Sequence, residues 1–359
     1  MDPRDGRPAL TVLMVGRPSP MTRPPLRYDF TSDNAAGAMP EVMAALAHAN
    51  AGYAPAYGED AVCARAGDLI RTLLDADAEV WFAASGTAAN ALTLAALAAP
   101  HEAILAHEHS HVATDETGAP GFFGGGVGVT PLPGRSGRIE AAALARILDR
   151  NDDAHLQGAA ALSLTQSTEY GAVYPEADIA HLIGAARAAG LKVHVDGARL
   201  ANAAAAGFDL TSLARNGVDV VVLGGTKAGA TPTEAIVLIN AEVRRRFGAR
   251  LKHAGQLVSK ARFLAAPWIG LLESGAWTRG AAHAHEMAVR LAALSPFEVV
   301  HPVEANAVFV AMDAATLGRL NAAGWAHYRF LDGSVRLMCS WATTPHAVDA
   351  FAESLRAIA

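Results

Sequence analysis

The chain has 359 residues, of which 52% are hydrophobic and 18% are charged. That length and composition can bury a large core, which excludes a disordered protein and a mini-scaffold. The net charge is −6 and the lysines and arginines are scattered, so neither a nucleic-acid-binding surface nor a membrane-binding stripe is indicated.

The cysteine pattern and the apolar stretches favour a soluble, cytoplasmic protein. Cys63 and Cys339 are the two cysteines of the sequence, and no export signal is evident. This pattern argues against a disulfide framework and against a cysteine-based zinc site. The apolar stretches are interrupted before they could span a bilayer. We therefore expect small molecules and other copies of this chain as partners, and neither nucleic acid nor a membrane.

From the N-terminus, residues 1–26 are interpreted as a flexible extension. From Tyr28 onward, helical patterns at 44–52, 59–76 and 177–189 alternate with short apolar runs. The apolar runs that predict strands are 79–83, 103–106, 158–164, 192–195, 218–223 and 234–239. Strands alternating with helices indicate an α/β fold whose mostly parallel sheet is covered on both faces. Residues 27–260 are assigned to this large domain.

After Lys260 the pattern changes. The apolar segment 263–277 and a helix at 283–294 lead into two short strands, 307–310 and 335–338, and then to a last helix at 345–358. We interpret residues 261–359 as a smaller C-terminal α+β domain packed on the large one.

Three short segments could carry chemistry. The first, AASGTAAN (83–90), follows a predicted strand and opens a helix, so Ser85, Gly86 and Thr87 could hold a phosphate or form an ordinary helix cap. The second, VHVDGAR (193–199), puts an acid, Asp196, at a strand end. In the third, VVVLGGTKAGA (220–230), desolvation would lower the pKa of Lys227 and favour a Schiff base.

Taken together, the three segments predict a site for pyridoxal phosphate. A phosphate cradle is followed by an aspartate at a strand end and then, 31 residues further on, by a lysine. The aspartate would keep the pyridinium nitrogen protonated, and the lysine would carry the cofactor. His111 is a candidate for stacking on the ring.

Segments that cover nearly everything from Tyr28 to the C-terminus resemble the low-specificity L-threonine aldolases, fold-type-I pyridoxal phosphate enzymes of the beta-eliminating lyase superfamily. The matching segments are FTSDNAAG (30–37), AYGED (56–60), SGTAAN (85–90), HSHVATDETGAPGFF (109–123), LTQSTEYG (164–171), HVDGAR (194–199), GGTKAG (224–229), 251–277, PVEANAVFV (302–310) and VRLMCSW (335–341). The resemblance implies cleavage of L-threonine, L-allo-threonine or phenylserine to glycine and an aldehyde.

The resemblance also implies roles for individual residues. Residues expected to contact the cofactor are Ser85, Gly86, Thr87, His111, Asp196, Arg199, Lys227 and Lys252. Residues expected to contact the substrate are Ser32, Tyr57, Arg199 and Arg336. Lys252 and the AYGED loop would reach the active site of a neighbouring subunit, since the family forms dimers that usually pair into tetramers.

Two departures from the family pattern concern the substrate. Glu169 stands where many members have a histidine that contacts the substrate hydroxyl, so His111, Glu169 or a water between them are the candidates for the proton acceptor. Ala35 and Ala36 replace bulkier residues, which predicts a wider mouth. We therefore expect a phenylserine aldolase-like member that cleaves phenylserine at least as well as threonine.

Three other interpretations were weighed. His107, His109 and His111 would share one face of a strand and could bind zinc in a hydrolase or lyase, although we expect no metal. Another pyridoxal phosphate lyase or an aminotransferase would use the same cofactor residues. A catalytically inert scaffold is disfavoured because Lys227, Asp196 and Arg199 are all present.

Overall fold

The computed structural model describes residues 26–151 and 153–359. The extension predicted for residues 1–26 therefore lies, apart from its last residue, outside the described residues. In the described part of the chain, no helix is both long enough and apolar enough to cross a membrane.

The described chain alternates helices with strands, as the sequence predicts. The helices are α1 (Pro40–Ala49), α2 (Ala61–Leu74), α3 (Gly86–Leu97), α4 (His111–Thr114), α5 (Ala119–Gly124), α6 (Ala141–Leu148), α7 (Glu176–Ala188), α8 (Leu200–Ala205), α9 (Thr211–Arg215), α10 (Ala241–Arg244), α11 (Phe247–His253), α12 (Arg262–Glu273), α13 (Ala276–Leu294), α14 (Ala314–Ala322) and α15 (Pro345–Ile358). Short 3-10 helices lie at Asp33–Ala35 and Thr226–Ala228. The strands are β1 (Glu79–Ala83), β2 (Ala103–His107), β3 (Gly128–Leu132), β4 (Gly134–Arg135), β5 (Arg138–Ile139), β6 (Ala159–Thr165), β7 (Lys192–Gly197), β8 (Val220–Gly224), β9 (Glu234–Leu238), β10 (Ala307–Val310), β11 (Tyr328–Arg329) and β12 (Val335–Met338).

The large sheet has the strand order β1-β9-β8-β7-β6-β2-β3. β9 runs antiparallel to both of its neighbours, whereas the ladders from β8 to β3 are parallel. The prediction of a mostly parallel sheet is confirmed. The edge strand β3 was not predicted, because its sequence GVTPL contains a glycine and a proline, which only an edge strand readily accepts.

Helices cover both faces of this sheet. Alternate residues of β7 and β8, such as Val193, Val195 and Val221, join a core formed with α2, α7 and α12. Val220 and Val222 join a second core on the opposite face, to which α3 and α11 contribute. Because both faces are buried, the strands read as continuous apolar runs, which is why the sequence revealed them.

The smaller sheet, β10-β12-β11, is antiparallel and packs with α13, α14 and α15 around a separate core. The domain boundary at 260/261 stays a prediction. On its C-terminal side, Trp268 of α12 is fully buried in the core of the large sheet. The following helix contributes Trp277 to that core and Leu291 to the core of the smaller sheet, so α13 connects the two.

Candidate active site

A cavity of about 290 Å³ lies at the edge of the large sheet where β6, β7 and β8 end. In open α/β sheets this is the edge at which ligands bind. Of the residues predicted from the sequence, those that line it are Ser85, Gly86, Thr87, His111, Glu169, Asp196, Arg199 and Lys227. Five separate segments of the chain, far apart in sequence, therefore meet in one place.

The N-terminus of α3 forms one wall. Ser85 is the N-cap, and its Oγ accepts a hydrogen bond from the N–H of Ala88 at 3.3 Å. The N–H groups of Gly86 and Thr87, at the first two helical positions, have no acceptor within the helix. Free N–H groups and the positive end of the helix dipole suit a phosphate.

Asp196 lies at the end of β7 and is buried. Its Oδ2 accepts from Asn90 Nδ2 at 2.9 Å, and its Oδ1 accepts from the N–H of Ala198 at 2.9 Å. Burial alone would raise the pKa of this carboxyl, but the positive charge of Lys227 and the hydrogen bond from the Ala198 N–H outweigh it and hold the pKa below its ordinary value. The group is therefore an anion at neutral pH and suits a protonated ring nitrogen.

Lys227 follows β8 in the 3-10 helix Thr226–Ala228. Burial, with the positive charge of Arg199, lowers the pKa of its ammonium. Among the described residues Nζ has no hydrogen-bond or ion-pair partner. A lysine whose ammonium form is disfavoured by burial and whose side chain lines a cavity is suited to covalent chemistry with a carbonyl.

The glycines before Lys227 have a structural role that the sequence did not show. A Cβ on Gly224 would lie 2.2 Å from the carbonyl oxygen of Ala198, and one on Gly225 would lie 2.6 Å from that of Thr233. Glycine is needed at both positions because other segments of the chain pack closely beside β8.

His111 begins α4, and its ring is tied to a buried carboxyl that the sequence analysis missed. Its Nδ1 lies 2.9 Å from Oε1 of Glu116, whose side chain is fully buried. The Glu116 hydrogen bond raises the pKa of His111 above its ordinary value, although burial opposes it. Asn90 connects this pair to Asp196, since its Nδ2 also donates to Glu116 Oε1 at 2.8 Å.

Glu169 lies beside the same histidine. Its Oε1 accepts from the backbone N–H of His111 at 2.8 Å and from Thr165 Oγ1 at 3.2 Å. Burial, helped by the negative charge of Asp196, raises its pKa from 4.5 to about 7. A carboxyl that titrates near neutrality in a cavity can serve as an acid or a base.

Arg199 is held by Asp33 through a bidentate ion pair, with Nε and Nη2 at 2.8 and 2.9 Å from the two carboxylate oxygens. Asn306 Nδ2 donates to the same carboxylate at 3.2 Å. The guanidinium edge expected to meet a substrate is thus engaged by a carboxylate of the protein itself. Both partners of the pair are buried.

Arg336, on β12, has a different environment. Its guanidinium lies 4.5 Å from the centre of the Tyr328 ring, and its Nε is buried without a hydrogen-bond partner among the described residues. Burial, with the charge of Arg199 nearby, lowers its pKa to about 10. Its Nη2 reaches the carbonyl oxygen of Thr31 at 3.4 Å, next to Ser32. Ser32 caps the 3-10 helix Asp33–Ala35.

Tyr57 and Lys252 do not line the cavity. They meet each other at the surface, where the Lys252 ammonium lies 4.5 Å from the centre of the Tyr57 ring. Tyr57 has a φ of 61°, an uncommon value for an aromatic residue, and it is exposed. Ala35 and Ala36, expected at the mouth, line a separate cavity instead, whereas Asn34 lines the main one.

The three clustered histidines do not share a strand. His107 ends β2 and its Nε2 lies 3.1 Å from the carbonyl oxygen of Gly134. His109 lies in the following turn, with its Nδ1 2.6 Å from Tyr170 Oη, and His111 begins α4. Residues 26–151 and 153–359 contain no group of three or more His, Cys, Asp or Glu side chains placed to hold a metal.

Comparison with known proteins agrees with this geometry. The sequence matches the beta-eliminating lyase family over residues 29–315. It is 41% identical over 336 residues to the low specificity L-threonine aldolase of a Pseudomonas species, covering 92% of this chain and 97% of that protein. The chain therefore belongs to the beta-eliminating lyase family.

Two further relatives support that membership. The low specificity L-threonine aldolase of Pseudomonas aeruginosa is also 41% identical over 336 residues, which is 92% of this chain and 97% of the relative. The threonine aldolase structure from Leishmania major superposes with a TM-score of 0.87 at 28% identity and covers 93% of this chain and all of that one. The predicted threonine aldolase resemblance is confirmed.

The residues that sequence reasoning missed are polar groups paired within the fold. They are Asp33, Asn90, Glu116 and Glu234. Asp33, Asn90 and Glu116 stand inside segments that carry the threonine aldolase resemblance, FTSDNAAG, SGTAAN and HSHVATDETGAPGFF, so their position was a usable signal. Glu234 lines the cavity and accepts the Gly225 N–H at 2.9 Å, and burial raises its pKa to about 7.

Proposed function

We propose that this protein is a pyridoxal phosphate-dependent aldehyde-lyase that cleaves L-β-hydroxy-α-amino acids to glycine and an aldehyde. One observation carries the proposal. Lys227 with its lowered pKa, the anionic Asp196 and the free N-terminus of α3 line a single cavity. An amine, an acid and a phosphate cradle are the groups that this cofactor requires.

Two buried polar atoms at the cavity wall that lack hydrogen-bond partners among the described residues also favour a bound ligand. Ser167 Oγ and Glu169 Oε2 are buried at its wall and have no hydrogen-bond partner among the described residues. Buried polar groups are normally paired, so an additional polar molecule would satisfy them. Lys227 would hold the cofactor covalently, Asp196 would pair with its ring nitrogen, and the α3 N-terminus would hold its phosphate.

When bound, pyridoxal phosphate supplies an electron sink for the pair released as the substrate Cα–Cβ bond breaks. The protein selects that bond by orienting the substrate. Arg336, whose guanidinium is half-buried and lacks a carboxylate partner among the described residues, would bind the substrate carboxylate with help from Ser32. Arg199 would contribute Nη1 to this contact with the substrate carboxylate, because its Nε and Nη2 are already paired with Asp33.

Bond cleavage also needs a group that accepts the β-hydroxyl proton. His111 and Glu169 both line the cavity and both have a raised pKa, which strengthens each as a proton acceptor. Glu169 Oε1 already accepts the His111 N–H. Because this contact engages Oε1, Oε2 is the oxygen of Glu169 that would accept the β-hydroxyl proton, either directly or through a water.

We propose further that the protein acts in the cytoplasm as a homo-oligomer, a dimer or a tetramer. Tyr57 and Lys252, expected at the active site, lie together on the surface of the single chain and not in its own cavity. A strained, exposed aromatic residue beneath a lysine favours a contact surface. In the oligomer this pair would reach the cavity of a neighbouring subunit.

The experiment is a substrate screen on the purified protein. Threonine, allo-threonine, serine and phenylserine are each incubated with the loaded protein, and aldehyde, glycine, pyruvate and keto acids are measured. We expect aldehyde and glycine in equal amounts, and neither from Lys227→Ala. Pyruvate from serine, or transfer of the amino group, would replace the proposal with β-elimination or transamination. After borohydride reduction, a cofactor adduct found on a residue other than Lys227 would overturn the lysine assignment.

A further inference from the structure

Four side chains of the active site form a continuous hydrogen-bonded chain. His111 Nδ1 lies 2.9 Å from Glu116 Oε1, Asn90 Nδ2 donates to the same oxygen at 2.8 Å, and Asn90 Nδ2 also donates to Asp196 Oδ2 at 2.9 Å. Asn90, Glu116 and Asp196 are buried, and the His111 ring reaches the cavity. Glu116 itself does not line the cavity.

The hydrogen-bond directions determine which nitrogen of His111 carries the proton. An amide NH₂ has two donors and no acceptor, so Asn90 donates to both carboxyl groups. Glu116 Oε1 accepts from Asn90 and has a lone pair left for His111. Glu116 Oε2 has no partner, so a proton on that oxygen would leave Oε1 an acceptor. With Glu116 ionised, or protonated on Oε2, Nδ1 of His111 is the donor.

We propose that Glu116 is a positioning residue that keeps the proton of His111 on Nδ1 and leaves Nε2 as the acceptor of the substrate β-hydroxyl proton. This inference rests on the proposed function. As the proton moves to Nε2, the Cα–Cβ bond breaks and the hydroxyl carbon becomes the aldehyde carbonyl. The electron pair of that bond stays with the glycine fragment, whose Cα later takes up a proton.

The charges around His111 suit this role. Glu116, Asp196 and Lys227 are the charged groups that change the pKa of its ring. Glu169 accepts a hydrogen bond from its backbone N–H. The Glu116 hydrogen bond raises the pKa of the ring most, Asp196 adds to it, and burial and Lys227 oppose it. Burial raises the pKa of Glu116 itself, which the hydrogen bonds from His111 and Asn90 partly offset. With its proton kept on Nδ1, the neutral ring can accept a proton at Nε2 and later return it.

The test compares Glu116→Gln with Glu116→Ala in the full-length protein, with and without its cofactor. The glutamine can keep an oxygen at the Oε1 position while it removes the charge and puts an NH₂ group in place of Oε2, which has no hydrogen-bond partner among the described residues. The alanine removes the hydrogen bonds as well. The His111 titration is followed by NMR on protein with ¹³C-labelled histidine and is assigned by its absence in His111→Gln. Glu79→Gln is the matched control, because Glu79 begins β1 at the opposite end of that strand from the cavity.

We expect the His111 midpoint to fall by about one pH unit in Glu116→Gln, because a neutral amide oxygen is a weaker hydrogen-bond acceptor for the imidazolium than a carboxylate is. The acid limb of kcat/KM should move to lower pH by the same amount. At the plateau, kcat should fall about tenfold or more with KM little changed, because the proton transfer is affected and the carboxylate grip is not. Glu79→Gln should leave the titration and the rates as in the parent.

Three results would overturn the proposal. An unchanged His111 midpoint in a folded Glu116→Gln variant would show that Glu116 does not influence the protonation of the His111 ring. A shifted midpoint with an unmoved acid limb would show that His111 is not the acceptor. If the parent releases no aldehyde from any of the four substrates, the proposed function fails and the acceptor role fails with it, whatever the titration shows.

Discussion

Glu169→Gln should make the protein more stable at alkaline pH. Oε1 of Glu169 accepts hydrogen bonds from the His111 N–H at 2.8 Å and from Thr165 Oγ1 at 3.2 Å. A glutamine oxygen can accept both. Oε2 is buried without a partner among the described residues, so the substitution removes a charge and no hydrogen bond observed there.

The magnitude follows from the raised pKa. Burial, with the charge of Asp196, raises the pKa of Glu169 from 4.5 to about 7. Below pH 4.5 the carboxyl is neutral in the folded and unfolded states. Between the two values the folded state keeps a proton that the unfolded state has lost, so stability falls with rising pH by ~1.4 kcal/mol per unit. Above the folded pKa the loss is complete, at ~3 kcal/mol.

The assay is equilibrium unfolding in urea at several pH values from about 5 to about 8.5, on cofactor-free protein at a fixed chain concentration, since association also changes apparent stability. Glu353→Gln is the control, because Glu353 is exposed and has no hydrogen-bond partner within residues 26–151 and 153–359. We expect the advantage of Glu169→Gln to grow with pH to ~3 kcal/mol, and that of Glu353→Gln to stay near zero. An advantage for Glu169→Gln that does not change with pH would refute the reasoning.

Three further predictions concern catalysis. Asp196→Asn should keep some cofactor yet lower kcat by one to two decades, since a charge-assisted hydrogen bond is worth ~1.5–3 kcal/mol, and near-parent rates would contradict the role of Asp196. Arg336→Ala should raise KM and lower kcat together, because the contact with the substrate carboxylate both binds and orients the substrate. Arg329 is exposed on β11, so Arg329→Ala serves as the control and should change neither constant. Phenylserine should be cleaved at least as well as threonine, because its aldehyde leaves conjugated to the ring, and a preference for threonine of tenfold, ~1.4 kcal/mol, would contradict this.

Much of the fold could be predicted from local pattern. The six predicted strands of the large sheet and the two of the small sheet all form, because a strand buried on both faces must be a run of apolar residues. The last helix was predicted with its observed bounds, Pro345–Ile358, where Thr344 caps the first turn and proline stands at the first helical position. Element ends were less exact elsewhere, as in α1, which begins at Pro40 and not at residue 44.

The sequence by itself determined that the chain has the local features of a pyridoxal phosphate site, which are the helix cap at Ser85, the strand-end aspartate and the lysine after Gly224-Gly225. Only the tertiary structure decided what those residues pair with. Asp33 engages Arg199 across 166 positions, and Asn90 joins Asp196 across 106. Such pairs depend on the order in which strands lie side by side and on which groups become buried together. Burial raises the pKa of Glu169 and the Glu116 hydrogen bond raises that of His111, and no local pattern records either effect.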